Sequence, residues 1–152
     1  LGLDEFISGD DQLIRELTSL LQSVETDMTI FFRLLSSIKI PEISHLVYAF
    51  YSPDSIPEKE WNIWLNKWWS RVKENPSREK MKLANPKYVL RNWMAQLAID
   101  AAEKEDFSIA IELYELLKKP YSEQSEYEEK WFMKRPEWAR HRVGCSMLSC
   151  SS

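Results

Sequence analysis

Glycine, histidine and cysteine are scarce in this sequence, which has 3 glycines, 2 histidines and 2 cysteines among 152 residues. The glycines stand alone at Gly2, Gly9 and Gly144, so the chain has no glycine-rich loop of the kind that cradles phosphates. The words His-Arg-Asp and Asp-Phe-Gly, which position the catalytic base and magnesium in kinases, are absent as well. We therefore predict no catalytic residues in this chain.

Residue types that commonly bind metals are also too few to form a site. His45 is solitary and is interpreted as a residue of the surface or of the core edge. His141 stands among arginines, without the nucleophile and the orienting acid that a catalytic histidine needs. The two cysteines, Cys145 and Cys150, cannot complete a four-ligand zinc site by themselves. No metal site and no cofactor are predicted within the chain.

Charge and hydrophobicity exclude two further classes of partner. The 20 basic and 24 acidic residues give a net charge of −4, which argues against a surface that binds nucleic acid. No apolar run approaches the ~20 residues of a spanning helix, so we expect no membrane partner. The hydrophobic fraction of 44% is ordinary for a globular domain.

Apolar residues recur at spacings of three and four along most of the chain, which predicts an all-α bundle of about six or seven helices. Residues 1–120 are predicted to form the helical domain, and residues 121–152 an irregular C-terminal arm and tail. The predicted helices begin near Asp10, near Thr26, at Glu42, after a Ser55–Glu58 capping box, at Asn85 and at Ser108.

Tryptophan is frequent, and four of the 7 tryptophans fall on one predicted helix. The stripe consists of Trp61, Trp64, Leu65, Trp68 and Val72, and Trp69 widens it. Such a stripe indicates either a thick core seam or a docking face for another part of a larger protein. We favour the core and keep the docking face as the alternative.

Residues 85–102 are predicted to form the central helix, because Asn85 is a suitable N-cap and Pro86 fits the first helical turn. Polar side chains lie beside its apolar stripe and need partners if they are buried. The predicted structural clamp consists of Asn85, Arg91, Asn92, Trp93 and Gln96. The alternative is that these residues contact a ligand.

Several words of the sequence resemble a known family. They are Asn-Pro-Lys-Tyr-Val-Leu-Arg-Asn-Trp from position 85, Pro-Tyr-Ser-Glu-Gln from 120, Pro-Glu-Trp-Ala from 136 and Ser-Cys-Ser-Ser at the C-terminus. Leu-Gly-Leu at position 1 and Asp-Met-Thr-Ile-Phe-Phe-Arg-Leu at 27 precede them. In this order the words resemble the closing part of the selenoprotein O family, and the resemblance spans the chain.

The resemblance implies a pseudokinase-like enzyme that transfers AMP from ATP to hydroxyl side chains of proteins. Its catalytic machinery would lie in a kinase-like domain upstream of this chain, which would be the C-terminal helical fragment. ATP and Mg²⁺ are implied for the full-length enzyme, with the upstream domain of the same chain and protein substrates as partners. The implied location is a mitochondrion or another organelle in a eukaryote, and the cytoplasm in a bacterium.

The tail carries the redox candidates. In the family the antepenultimate residue is cysteine or selenocysteine, and Cys150 occupies that place. The resemblance therefore implies redox chemistry at Cys150, with Cys145 or an upstream cysteine as its partner. The alternative is that the two tail thiols have no function.

A second resemblance competes with the first. Residues 98–120 resemble half of a tetratricopeptide unit, a helical module that binds other proteins. The repeat period of about 34 residues is missing on either side. A free-standing protein-interaction module is therefore the alternative function.

Overall fold

The computed structural model describes residues 1–72 and 78–145. These residues form seven α-helices and no β-strand, which confirms the predicted all-α class. The helices are α1 (Asp10–Ser23), α2 (Met28–Leu35), α3 (Glu58–Val72), α4 (Arg78–Ala84), α5 (Asn92–Ala102), α6 (Ser108–Leu117) and α7 (Glu128–Trp131). Short 3-10 helices cover Ile43–His45, Val47–Ala49, Pro53–Ser55, Ser125–Tyr127 and Glu137–Arg140. Within the described ranges, no helix is both long enough and apolar enough to cross a membrane.

The chain forms two compact units, unit 1 (Leu1–Asn85) and unit 2 (Pro86–Ser152). This boundary differs from the division at residue 120 that the sequence suggested. The reason is that the backbone N–H groups of Lys87 and Tyr88 donate to the Pro120 carbonyl, at 2.8 and 3.1 Å. These bonds place the start of unit 2 beside the segment that follows α6, so the arm belongs to the same unit as α5 and α6.

Unit 1 has an aromatic core built on α3. Trp61, Trp64 and Trp68 are buried, and their rings follow one another with centroids 6.0 and 6.2 Å apart. Phe31 of α2 and Phe50 contact the Trp61 ring, at centroid distances of 5.4 and 5.3 Å. Contacts of this kind add about 0.5–1.5 kcal/mol each to the free energy of burial. The tryptophan stripe is thus confirmed as core.

The first two helices begin where the sequence predicts. Asp27 is the N-cap of α2, and its carboxylate accepts from the Ile30 N–H at 3.1 Å. Helix α1 begins at Asp10, but its N-cap is Gly9, in the left-handed conformation at φ 99°. The Trp64 indole N–H donates to the Leu13 carbonyl at 2.9 Å and fixes α1 against α3.

The α-helix predicted from Glu42 to Tyr51 is wrong, because the segment forms two 3-10 turns. Its backbone is drawn into bonds with the start of α2. The Asp27 N–H donates to the Ala49 carbonyl at 2.8 Å, and the Tyr51 N–H donates to the Glu25 carbonyl at 2.9 Å. These pairings require extended backbone at Phe50 and end the helical run.

The central helix was also predicted to begin too early, since α5 starts at Asn92. The Asn85 N–H donates to the Met81 carbonyl and thereby extends the last turn of α4, a helix that the sequence analysis did not include among its helix starts. Val89 and Leu90, which belong to the apolar stripe of the helix predicted for residues 85–102, are 38% and 53% exposed. Helix α6 begins at Ser108 as predicted. The predicted helix end at Asn75–Pro76 lies outside the described residues.

Candidate functional site

Two of the family words meet in unit 2 around a buried lysine. Lys87 is 4% exposed, and its Nζ lies 3.0 Å from Glu123 Oε2 and 2.8 Å from Glu128 Oε2. The ammonium also lies over the ring of Phe132, 5.2 Å from the centroid. The two carboxylates are half exposed, so the site pairs a buried cation with anions that remain in contact with water.

The neighbouring tyrosine ties the same two words together a second time. Tyr88 is buried, and its hydroxyl lies 2.9 Å from the Glu123 carbonyl and 3.0 Å from the Gln124 carbonyl. Either carbonyl can accept the hydrogen bond that the hydroxyl donates. We call the set Lys87, Tyr88, Glu123, Gln124 and Glu128 the lysine junction. It fixes the segment before α5 to the segment after α6.

Gln124 holds an unusual backbone conformation within the junction, with φ 42° and ψ 59°. This left-handed conformation is uncommon for a residue other than glycine. Its side-chain amide donates to the carbonyls of Leu116 and Lys119, at 3.0 and 2.8 Å. These carbonyls lie at the C-terminal end of α6 and just beyond it, where they also accept the backbone N–H groups of Lys119 and Ser122. Gln124 thus adds a side-chain hydrogen bond from the arm to each of them.

The pKa values of Lys87 and Tyr88 are both raised in the junction. Burial of the Lys87 ammonium, the largest single effect, lowers its pKa, but the hydrogen bonds to Glu128 and Glu123 outweigh it and raise the pKa above 10.5. Burial raises the pKa of Tyr88 above 10.0. Both shifts favour the protonated lysine and the neutral tyrosine, which are the forms that donate the hydrogen bonds of the junction.

The members of the predicted clamp each make their own contacts. Asn85 ends unit 1, where its side chain donates to the Met81 carbonyl at 2.8 Å. Arg91 is the half-buried N-cap residue of α5, and Asn92 is exposed. Gln96 donates to Asp100 Oδ1 at 2.8 Å, one turn further along α5.

Trp93 alone among them is deeply buried, at 3% exposed, and it stacks on Trp131 with centroids 5.8 Å apart. Its indole N–H has no hydrogen-bond partner among the described residues. The Trp131 N–H, in contrast, donates to Glu112 Oε1 at 2.5 Å, and Lys130 Nζ donates to Glu112 Oε2 at 2.9 Å. The pair joins α5, α6 and α7.

We predicted Arg91 as the arginine of a structural clamp, but the arginine that is buried is Arg33 of α2. It is 4% exposed, and its Nη1 donates to the carbonyls of Lys82 and Asn85, at 3.1 and 3.2 Å. These carbonyls lie at the C-terminal end of α4, where backbone acceptors are unpaired and the helix dipole favours a cation. The signal available in the sequence was a lone arginine within the apolar run of α2.

A second buried ion pair closes the N-terminal part of unit 1. Asp10 is 2% exposed, and its two carboxylate oxygens lie 3.0 and 3.1 Å from Arg71 Nε and Nη2. The Ile7 N–H donates to the same carboxylate at 3.0 Å. The hydrogen bond from Arg71, followed by that from Ile7, lowers the pKa of Asp10 below 3.8.

The two cysteines have different standing in the structure. Cys145 is buried, at 7% exposed, in the turn that follows Arg142. That turn is fixed to α5 by Arg142, whose Nη1 and Nη2 each lie 2.7 Å from the Asp100 carboxylate. Cys150 lies outside the described residues.

Among residues 1–72 and 78–145, no group of three or more histidine, cysteine, aspartate and glutamate side chains is placed to hold a metal ion. Two of the buried charges form ion pairs, Lys87 with Glu123 and Glu128, and Asp10 with Arg71. These features define a class: an all-α region in which buried charged residues join segments that are distant in the sequence.

Comparison with known proteins gives the family. The family model described as "Protein adenylyltransferase SelO" matches residues 1–119, and the chain belongs to this family. It is similar to proteins named "Protein nucleotidyltransferase YdiU", with 51% identity to that of Flavobacterium johnsoniae, 44% to that of Rhodopirellula baltica and 44% to that of Aromatoleum aromaticum. Each comparison covers 100% of this chain but only 31%, 32% and 31% of the relative. The chain thus spans about a third of the length of these proteins.

Proposed function

We propose that this chain is the non-catalytic, C-terminal helical region of a protein adenylyltransferase. In the full-length protein a kinase-like part outside this chain would bind ATP and Mg²⁺ and transfer AMP to hydroxyl groups of proteins. The observation that supports this most strongly is the family match over residues 1–119, combined with coverage of about a third of each relative.

The described residues do not fit ATP and magnesium. They place no metal-binding group of acidic side chains together, and the buried Lys87 already pairs with two carboxylates. The three glycines, Gly2, Gly9 and Gly144, stand apart in the sequence and form no phosphate-binding loop. We therefore assign nucleotide binding to the part of the protein outside this chain and derive no catalytic step here.

Partners and location follow from the same proposal. The first partner is the kinase-like part of the same polypeptide, and the second is the protein substrate of the full-length enzyme. Neither nucleic acid nor a membrane is proposed as a partner, in keeping with the net charge of −4. In a bacterium the enzyme would work in the cytoplasm, and in a eukaryote in a mitochondrion or another organelle.

A redox role for Cys150 is the finer part of the proposal. Its thiolate would attack a disulfide such as oxidised glutathione, releasing one glutathione thiolate and forming a mixed disulfide. A second cysteine thiolate would then displace the other glutathione and leave a protein disulfide. Burial of Cys145 at 7% exposed makes it the less accessible partner, which favours a cysteine in the upstream part.

The redox role is tested by alkylation under native conditions followed by mass mapping. We expect rapid labelling of Cys150 and slow labelling of Cys145. In the full-length enzyme, Cys150→Ser should abolish the response of AMP transfer to oxidised glutathione. A Cys150→Ser enzyme that responds to the oxidant as before would remove the role.

Nucleotide binding is tested by calorimetric titration of this chain and of the full-length protein with Mg-ATP. The full-length protein should show saturable binding, and this chain should show none. Saturable binding to the chain alone would place nucleotide contacts within it and overturn the assignment.

A further inference from the structure

Unit 1 carries an apolar groove between α1 and α2 that the proposed function leaves unexplained. Its volume is about 380 Å³. Eight residues line it: Leu1, Ile14, Leu17, Thr18, Leu21, Gln22, Met28 and Phe32. Ile14 and Met28 are 40% and 47% exposed, so the groove presents apolar side chains to solvent.

The chemistry of the lining favours an apolar occupant. No side chain in the groove is charged, and the Thr18 hydroxyl already donates to the Ile14 carbonyl at 2.9 Å. Only Gln22 offers a polar group that would orient a ligand. A polar small molecule would therefore lose its hydration without gaining directed hydrogen bonds.

The position of Leu1 indicates which apolar segment reaches the groove. Leu1 itself lines the groove, and its carbonyl accepts from the Trp68 indole N–H at 2.9 Å. Trp68 is 1% exposed, so this bond fixes the first residue against the core of unit 1. Any residue that precedes Leu1 in the full-length protein is delivered at the mouth of the groove, because consecutive Cα atoms are only about 3.8 Å apart.

The surroundings of the Leu1 nitrogen disfavour a positive charge. Burial lowers the pKa of its α-amino group below 8.0, because the charged form loses hydration there. A peptide nitrogen in the same place carries no charge and meets no such penalty. The groove mouth is thus better suited to an uncharged backbone than to an ammonium group.

We propose that the α1–α2 groove docks the polypeptide that immediately precedes Leu1 in the full-length protein, through apolar side chains of that segment. The proposal rests on the proposed function, in which the kinase-like part lies upstream. About two thirds of each relative lies outside the matched region, since the chain covers 31% and 32% of them. The docked segment would anchor that larger part to unit 1.

Oxidative footprinting of methionines in the full-length protein tests the docking. Met28 is 47% exposed in this chain, whereas Met94 is 1% exposed and supplies the buried reference within the same molecule. If the groove is occupied, Met28 loses its reactivity and is oxidised no faster than Met94. Oxidation of Met28 at its rate in the urea-unfolded protein, with Met94 still protected, would overturn the proposal.

A pair of charge substitutions gives an independent readout. Met28→Glu places a carboxylate in the first turn of α2, where the helix dipole is favourable, so any destabilisation of the full-length protein reports lost docking. Ile63→Glu is the control, at an equally exposed site of unit 1 outside this groove. We expect Met28→Glu to lower the melting temperature more than Ile63→Glu does. Equal or smaller lowering by Met28→Glu would contradict docking.

The two proposals fail in different ways. A full-length protein that transfers AMP while Met28 stays reactive would refute the docking and leave the proposed function intact. A full-length protein in which Met28 is protected but no AMP is transferred would support the docking and refute the proposed function.

Discussion

Lys87 Nζ and Glu128 Oε2 lie 2.8 Å apart, although 41 positions separate the two residues in the sequence. This contact joins the word that precedes α5 to the arm that follows α6. The words that begin at positions 85 and 120 are separate in the sequence, and the structure brings them together in the lysine junction. There they connect the two ends of the α5–α6 segment of unit 2.

Replacing Lys87 by methionine tests the junction. The variant keeps an apolar side chain but loses the hydrogen bonds to Glu123 and Glu128. The free energy of unfolding should therefore fall by about 1–3 kcal/mol. Lys118→Met is the matched control, because Lys118 and its partner Glu115 are each 51% exposed. The control should change stability by less than about 0.5 kcal/mol in urea unfolding. Equal effects of the two variants would show that the junction is not special.

The pH dependence of the Asp10–Arg71 pair has a definite sign. The pKa of Asp10 is lowered in the folded chain, so the carboxylate contributes stability above pH 3.8 and loses it as the pH falls through the lowered pKa. On acidification from neutral pH to below pH 3.8, the Asp10→Asn variant should therefore lose less free energy of unfolding than the unsubstituted chain does. Urea midpoints across this range provide the measurement, and an unchanged pH slope in the variant would refute the contribution of the pair.

Arg33→Ala should be markedly destabilising. It removes the donor to the Lys82 and Asn85 carbonyls, and it also removes a buried side chain. We expect a cost of at least about 2 kcal/mol in denaturant unfolding. Arg91→Ala, at a half-buried site, should cost less than about 1 kcal/mol. A larger loss of stability for Arg91→Ala than for Arg33→Ala would contradict this assignment and favour Arg91 as the buried, paired arginine.

Trp93 and Trp131 differ in their indole N–H groups, and substitution by phenylalanine isolates that difference. Both variants lose similar apolar area, but only Trp131→Phe loses a bond to the Glu112 carboxylate. Trp131→Phe should therefore be the more destabilising by about 1–3 kcal/mol. Trp93→Ala should cost about 3–5 kcal/mol by opening a cavity beside Trp131. Thermal unfolding of the three variants checks both statements.

The sequence predicted those parts of the fold that depend on local signals. The start of α2 near Thr26 and the start of α6 at Ser108 follow from local helix-start signals, and the buried face of α3 follows from its helical spacing. Each of these features is decided by residues within one or two turns of one another. Local patterns carry that kind of information well.

The errors occurred where a distant partner decides the backbone. Asn85 and Pro86 read as a helix start, but the Pro120 carbonyl takes the N–H groups of Lys87 and Tyr88 and holds that segment in another conformation. The Glu42–Tyr51 segment loses its helix to bonds with residues near Asp27 in the same way. Likewise, the buried Arg33 is held by carbonyls that lie 49 and 52 positions away in the sequence, which a local pattern cannot reveal.

The location of AMP transfer is the central claim, and labelling with ATP tests it most directly. The full-length protein and this chain would each be incubated with magnesium, a protein mixture and ATP labelled on either the α- or the γ-phosphate. We expect the full-length protein to transfer the α-label alone to protein, and this chain to transfer neither label. Transfer of α-label by the isolated chain, or of γ-label alone by the full-length protein, would contradict it.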